Sequence, residues 1–333
     1  MENQELSELR QDLISGDWIV VAPKRGNRPH ELETKKSRKR APKSTCPFEH
    51  KQLETVKPIL RIGDERDWNV IIIPNKFPAF THHGVCPVIH EKGPFLVTEG
   101  IGHHDIVVMR DHDTDFASVP LEEAVGVFQA FRGRYQTMLQ EECISYVSMF
   151  HNWGASAGAS LYHPHFQIIS IPVIPPDIRH SLVGSHEYFK NHGQCVHCAL
   201  VEWELKEGKR IIVENEHAIA ITPFTSRTNF EIRVFPKRHL PYFEDTPPGE
   251  IASVVQVLHQ ALGLMRKTLN DPDYNFFIHT SPVKDKEKYE HYHWHIEIVP
   301  KTNIDAGFEL GTGIDIISVN PDDAANMFKQ NRV

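Results

Sequence analysis

Asn152-Trp153-Gly154-Ala155-Ser156-Ala157-Gly158-Ala159-Ser160-Leu161-Tyr162-His163-Pro164-His165-Phe166-Gln167 is the stretch on which the fold turns. Residues 154–160 are all small, which suits a loop whose backbone N–H groups approach a phosphate closely. His163 and His165 are two apart, so on a strand they share one face. Pro164 cannot donate to a strand ladder and points to a strand start or an edge. One imidazole can then bind a metal or be held by a carbonyl while its neighbour attacks phosphorus. Gln167, on the same face, is placed to donate to a phosphoryl oxygen. Spacing alone also admits a plainer interpretation, two structural histidines beside a glycine loop.

Working outward, strands are expected at 17–23, 69–74, 105–109, 145–150 and 166–171, with a helix at 121–140. After the proline-rich stretch 172–176 the order starts again. Strands are expected at 211–213, 218–221, 230–235, 275–278 and 293–299, with a long helix from Pro248 to about Leu269. His163-Pro164-His165-Phe166-Gln167-Ile168 matches His293-Trp294-His295-Ile296-Glu297-Ile298, and Cys46-Pro47-Phe48-Glu49 matches Cys195-Val196-His197-Cys198. Two matches in the same order indicate a duplication. The fold class expected is α+β, two tandem halves that each carry an antiparallel sheet and a long helix, residues 1–180 and 181–333.

The chain has 333 residues and a net charge of −8, so no global basic field draws it to nucleic acid. The basic run 35–40 reads as a solvated loop. No stretch approaches the roughly 18 apolar residues a membrane span needs, and the N-terminus does not read as a signal peptide. Five cysteines, including a Cys-x-x-Cys pair, fit a reducing compartment and a metal site better than a disulfide framework, with the cytoplasm as the location. The 22 histidines direct attention to site chemistry, since imidazole is both ligand and nucleophile. His82-His83, His90 and His103-His104 lie near expected turns and read as surface residues. Cys195-x-x-Cys198, with histidines later in the chain, reads as structural zinc.

The motif Asn152-x-Gly154-Ala155-x4-Ser160-x-x-His163-Pro164-His165-x-Gln167 resembles the active-site signature of the galactose-1-phosphate uridylyltransferase family, in the histidine-triad superfamily. Residues 15–29, Pro74-Asn75-Lys76-Phe77-Pro78, Phe230-Glu231, Pro236-Lys237-Arg238-His239 and His293-Trp294-His295 resemble further family segments in the same order. The resemblance covers essentially the whole chain and implies two histidine-triad-like halves, the first one catalytic. It also implies ping-pong transfer of a nucleoside monophosphate through a nucleotidyl-histidine. His165 would be the nucleophile, its other ring nitrogen fixed by a backbone carbonyl. Gln167 and Ser160 would assist, and Arg25, Arg28, Asn75, Phe77, Asn152 and Gly158 would bind nucleotide or phosphate.

Two Zn2+ sites follow from the same resemblance. One would use Cys46, Glu49, His112 and His163, with His50 a rival to Glu49; the other Cys195, Cys198, His239 and His293. His279 and His295 lie near the second site and could support a further metal there, as in some family members. The expected partners are a nucleotide sugar, a phosphate acceptor and a second copy of the chain as a homodimer.

Ala159 stands where the typical uridylyltransferase has cysteine. Residues 307–313, Gly-Phe-Glu-Leu-Gly-Thr-Gly, lack the family's hexose-reading lysine, tyrosine and glutamate. They resemble the ADP-sugar phosphorylase branch, in which inorganic phosphate is the acceptor, and a glycine-rich loop there could bind phosphate through its amides. A dinucleoside-polyphosphate phosphorylase, a histidine-triad nucleotide hydrolase and a non-catalytic zinc-binding module are the competing functions.

Overall fold

The computed structural model describes residues 6–27, 40–65, 67–82 and 84–332. Fifteen strands are placed there: β1 (Glu8–Gln11), β2 (Trp18–Val21), β3 (Leu60–Gly63), β4 (Trp68–Pro74), β5 (His90–Lys92), β6 (Phe95–Val97), β7 (His103–Met109), β8 (Tyr146–Trp153), β9 (His165–Ile171), β10 (Ile211–Glu214), β11 (Ala218–Ile221), β12 (Ile232–Pro236), β13 (Tyr274–His279), β14 (His295–Pro300) and β15 (Asp315–Ile317). Seven helices accompany them: α1 (His50–Leu53), α2 (Leu121–Met138), α3 (Pro176–His192), α4 (Val196–Glu207), α5 (Pro248–Leu269), α6 (Gly307–Thr312) and α7 (Pro321–Gln330).

Ten strands form one antiparallel sheet in the order β10-β11-β12-β14-β13-β8-β9-β7-β4-β3. Outward from the β13–β8 seam the two sequences of strands are equivalent, β8-β9-β7-β4-β3 and β13-β14-β12-β11-β10, so the duplication is built into a single continuous sheet. The α+β class and the repeated order are as expected, and Pro164 does precede a strand start. The expected boundary at 180/181 falls inside α3.

Alternation explains which face works. On β9, Phe166 and Ile168 are fully buried, while Gln167 and Ile169 on the other face are only half-buried. Phe166 packs against Phe131 of α2 and Phe276 of β13. The two long helices carry Val127, Phe128 and Phe131, and Val254, Leu258 and Leu262, into this one core. Burying each such side chain stabilises by roughly 1.5–3 kcal/mol. The sheet's opposite face carries His165 and Gln167 and is partly covered by a second apolar cluster that includes Ile71, Ile73, Ile106 and Val108. Among the described residues no helix is long and apolar enough to cross a membrane.

Three expectations need correction. Cys86 and Cys143 form a disulfide, leaving Cys46, Cys195 and Cys198 free, so the odd cysteine count conceals one bridge. The stretch after the proline-rich residues 172–176, for which no element was expected, is α3, whose weakly apolar face hid it although Pro176 at its first turn and Gly193 at its end are ordinary helix signals. Residues 307–313 form no open glycine loop: they are α6, closed by Gly313 in the left-handed region at φ 71°.

Candidate active site and metal centres

His165 opens β9, and its Nδ1 lies 2.8 Å from the carbonyl oxygen of His163. A carbonyl only accepts, so Nδ1 carries the proton and Nε2 keeps its lone pair. Burial pushes the imidazole's pKa down, outweighing the opposing hydrogen bond to His163 and favouring the neutral ring.

Across the ladder Val108 faces His165 and Ile106 faces Gln167, so His104 of β7 is the next residue on that face. The backbone N–H of Ala79 donates to His104 Nδ1 at 3.0 Å, which leaves the proton on Nε2. That nitrogen donates to Gln167 Oε1 at 2.8 Å. Asn75 Nδ2 lies 3.0 Å from the same Nε2, where both nitrogens bear hydrogens and neither accepts. With its oxygen so engaged, Gln167 has its amide N–H groups available to an incoming phosphoryl oxygen. His104 was expected as a surface residue. Alternation from Gln167 reaches it only when the β7–β9 register is known.

The small-residue loop is tied to the second half. A side chain at Gly154 (φ 85°) would bring its Cβ within 1.9 Å of the Asp273 carboxylate, which accepts the Ser156 N–H at 2.8 Å. Asn152 Oδ1 accepts from Asn275, which also donates to the Ala157 carbonyl; Asn275 was not anticipated. Gly158 and Ser160 are exposed, free to meet a ligand from solvent. Phe77 is 81% exposed, its N–H capped by Asn75 Oδ1. Arg25 sits in the turn Pro23–Asn27, where Gly26 lies against Ser318; among the described residues no hydrogen bond or ion pair joins it to His165. Arg28 lies outside the described residues.

One candidate metal cluster adjoins His165. Cys46, His112 and His163 are buried, with ligand atoms within 4.8 Å of one another. His112 Nε2 donates to the Ala41 carbonyl and His163 Nε2 to the Met109 carbonyl. Both Nδ1 atoms therefore bear lone pairs, and they face each other 3.2 Å apart. Two lone pairs so close repel unless a cation sits between them, and the donor set fits one. Burial pushes His163 down to about 4, keeping it neutral as a ligand requires. Glu49 Oε1 approaches His112 Nδ1 at 3.1 Å, whereas His50 stacks on Trp68 and pairs loosely with Glu54. Glu49, not His50, faces the cluster.

Cys195, Cys198, His239 and His293 form the second cluster, again within 4.8 Å. Cys195 and Cys198 stand at the start of α4, three residues apart and so on one side of its first turn. Cys198 Sγ is 3.3 Å from His239 Nδ1 and 3.5 Å from His293 Nδ1, while His239 Nε2 donates to the Glu290 carbonyl.

The second half repeats the setting of His165 without its surroundings. His295 Nδ1 is 3.1 Å from the His293 carbonyl, as His165 is held by His163. At the position of Gln167 stands Glu297, and opposite it Arg233 replaces Ile106. Arg233 Nε lies 3.2 Å from Glu297 and 2.9 Å from Glu231, with Asp12 at 3.9 Å. His279 and His295 also gather round Glu297, but the guanidinium already on that carboxylate disfavours a further cation there.

The family model for the N-terminal domain of galactose-1-phosphate uridyl transferase matches residues 1–175, and a domain of unknown function, DUF4921, matches 98–331. ADP-glucose phosphorylase of Arabidopsis thaliana is 33% identical over 336 residues, covering 99% of this chain and 94% of that relative. Galactose-1-phosphate uridylyltransferase of Thermotoga maritima is 26% identical over 336 residues, covering 98% and 99%. The crystal structure of an Arabidopsis thaliana ADP-glucose phosphorylase with bound ADP-glucose is similar over 98% of this chain and 100% of its own, with a TM-score of 0.84 at 29% identity. The chain belongs to the galactose-1-phosphate uridylyltransferase family and is a nucleotidyltransferase.

Proposed function

We propose that the chain moves a nucleoside monophosphate from a nucleotide sugar to a phosphate acceptor through a nucleotidyl-His165 intermediate. The carrying observation is the 2.8 Å bond from His165 Nδ1 to the His163 carbonyl, which leaves Nε2 as the nucleophile. Nε2 attacks the α-phosphorus, the bond to the bridging oxygen breaks, and sugar 1-phosphate leaves. An acceptor phosphate oxygen then attacks the same phosphorus and the P–N bond breaks. Gln167, oriented by His104, donates to a non-bridging oxygen as charge develops, and the exposed Ser160 and Gly158 backbone would supply further donors. Phe77, exposed beside this site, offers a face to the nucleobase.

An ADP-sugar donor with inorganic phosphate as acceptor is the favoured pair, supported by the likeness to ADP-glucose phosphorylase. UDP-sugar with hexose 1-phosphate is the second reading, supported by the uridylyltransferase relative. Zinc suits both clusters: Cys46, Glu49, His112 and His163 would hold one ion, and Cys195, Cys198, His239 and His293 another. Zinc at the first cluster would be structural, fixing His163, whose carbonyl in turn orients His165. A cytoplasmic location is part of this reading for the free cysteines, which must stay thiolates, although the Cys86–Cys143 bridge is unusual in a reducing compartment. A homodimer is too: residues 85–97 expose Val85, Val88, Ile89, Phe95, Leu96 and Val97, apolar surface that a second copy would cover.

Intact mass after incubation with ADP-glucose, and separately UDP-glucose, tests the proposal. An AMP or UMP adduct absent from His165→Ala supports it. No adduct from either donor rules the mechanism out, and steady release of free nucleotide without added acceptor identifies a hydrolase instead.

A further inference from the structure

Beyond the two clusters that the family resemblance anticipated, a third set of ligands converges at the edge of the first half. His82 follows the isolated bridge Thr81↔Ile101, His103 is the first residue of β7, and Glu141 lies in the turn after α2. Their ligand atoms all lie within 4.8 Å of one another. Glu141 turns one oxygen to each imidazole: Oε1 is 2.7 Å from His103 Nε2 and Oε2 is 3.4 Å from His82 Nδ1. The two rings stack at 4.7 Å with 17° between their planes, which brings both donor nitrogens to the same carboxylate. The longer contact exceeds an ordinary hydrogen bond. It does match the spacing of about 3.3 Å between two ligands on one tetrahedral ion with bonds near 2.0–2.1 Å.

The surroundings hold these ligands in advance. Cys86–Cys143 joins the segment of His82 to that of Glu141. His103 is set by its backbone N–H, which donates to Ser170 Oγ at 2.8 Å. Gly102 before it passes so close to β9 that a Cβ would lie 2.1 Å from the Ser170 carbonyl oxygen. A cleft of about 240 Å³, lined in part by His82, Cys86, Gly102, Glu141 and Cys143, gives entry and room for water as a fourth ligand.

We propose that His82, His103 and Glu141 form a third cation site, taking a borderline divalent ion such as Zn2+ through two imidazoles and a carboxylate. The site lies on the face of β7 away from His104, so it is independent of the transfer chemistry.

The test is equilibrium dialysis of the full chain, its resident metal retained, against buffered free zinc in the micromolar range, followed by elemental analysis. Wild type should hold one more zinc per chain than His82→Ala, His103→Ala or Glu141→Gln. His82 is half exposed on a loop, so His82→Ala keeps the comparison meaningful should His103→Ala fail to fold. Equal zinc content in wild type and His82→Ala, at every free zinc concentration used, would overturn the proposal.

Discussion

Replacing His104 by alanine isolates the contribution of a residue that touches the proposed nucleotide site only through another. In the structure His104 takes the Ala79 N–H on one nitrogen and gives a proton to Gln167 Oε1, at 2.8 Å, from the other. Without it the Gln167 amide loses its orientation, and both its oxygen and its N–H groups can face the phosphoryl group. Removing a positioned donor of this kind outright costs about 10²–10³ in rate. Disordering the donor while keeping it should cost less, roughly tenfold to a hundredfold, or ~1.4–2.7 kcal/mol of barrier. The assay is the single-turnover rate of nucleotidyl adduct formation, followed by intact mass, with a thermal melt to confirm folding. Gln167→Ala should be the slower single variant, and His104→Ala/Gln167→Ala no slower than Gln167→Ala alone. A His104→Ala rate equal to wild type, or losses that multiply in the double variant, would refute this account.

Other outcomes follow from the rest of the molecule. Cys198→Ser should lose the metal of the second cluster and lower the melting temperature by more than about 5 °C, read by elemental analysis and calorimetry. Arg233→Met leaves Glu231, Glu297 and Asp12 without their cation and should cost about 3–5 kcal/mol in denaturant unfolding. Burial alone would raise the Asp12 carboxyl, but Arg233, the Ser15 and Ile14 N–H groups and Thr225 hold it below its ordinary value. Its stabilisation is therefore present above about pH 4 and lost as pH falls through the folded-state pKa. The gap between wild type and Arg233→Met should narrow on acidification, and a constant gap would contradict this. Cys86→Ser/Cys143→Ser opens a cross-link between residues 57 apart, and loop entropy puts the destabilisation near ~4 kcal/mol, measurable by urea unfolding.

Local signals served well where one element decided the matter. The alternation through His165-Phe166-Gln167 and the amphipathic stripe from Ala124 to Tyr135 predict β9 and α2 with their ends nearly right. The repeated histidine pair foretold the duplication that the strand order displays. What stayed hidden was non-local. His104 reaches Gln167 through a pairing of strands 63 residues apart. Cys86–Cys143 depends on a loop and a turn meeting beside the start of β7, which cysteine counting does not reveal. The choice between Glu49 and His50 turned on which of two neighbours faces inward at the start of α1. The helix α3 was obscured for the opposite reason: its surface is polar enough to pass for a linker.

The ion network around Arg233 has a consequence for the history of such a chain. A duplicated half begins with the same chemistry as its twin, and here the counterpart of Gln167 has become an anion clasped by a buried guanidinium. Replacing Glu297 alone would leave Arg233 to Glu231 and Asp12, whereas replacing Arg233 alone would strand three carboxylates. The costly step is the loss of the cation, so Arg233 holds the arrangement in place. The second half is thereby an anchor whose buried cation cannot be exchanged by itself.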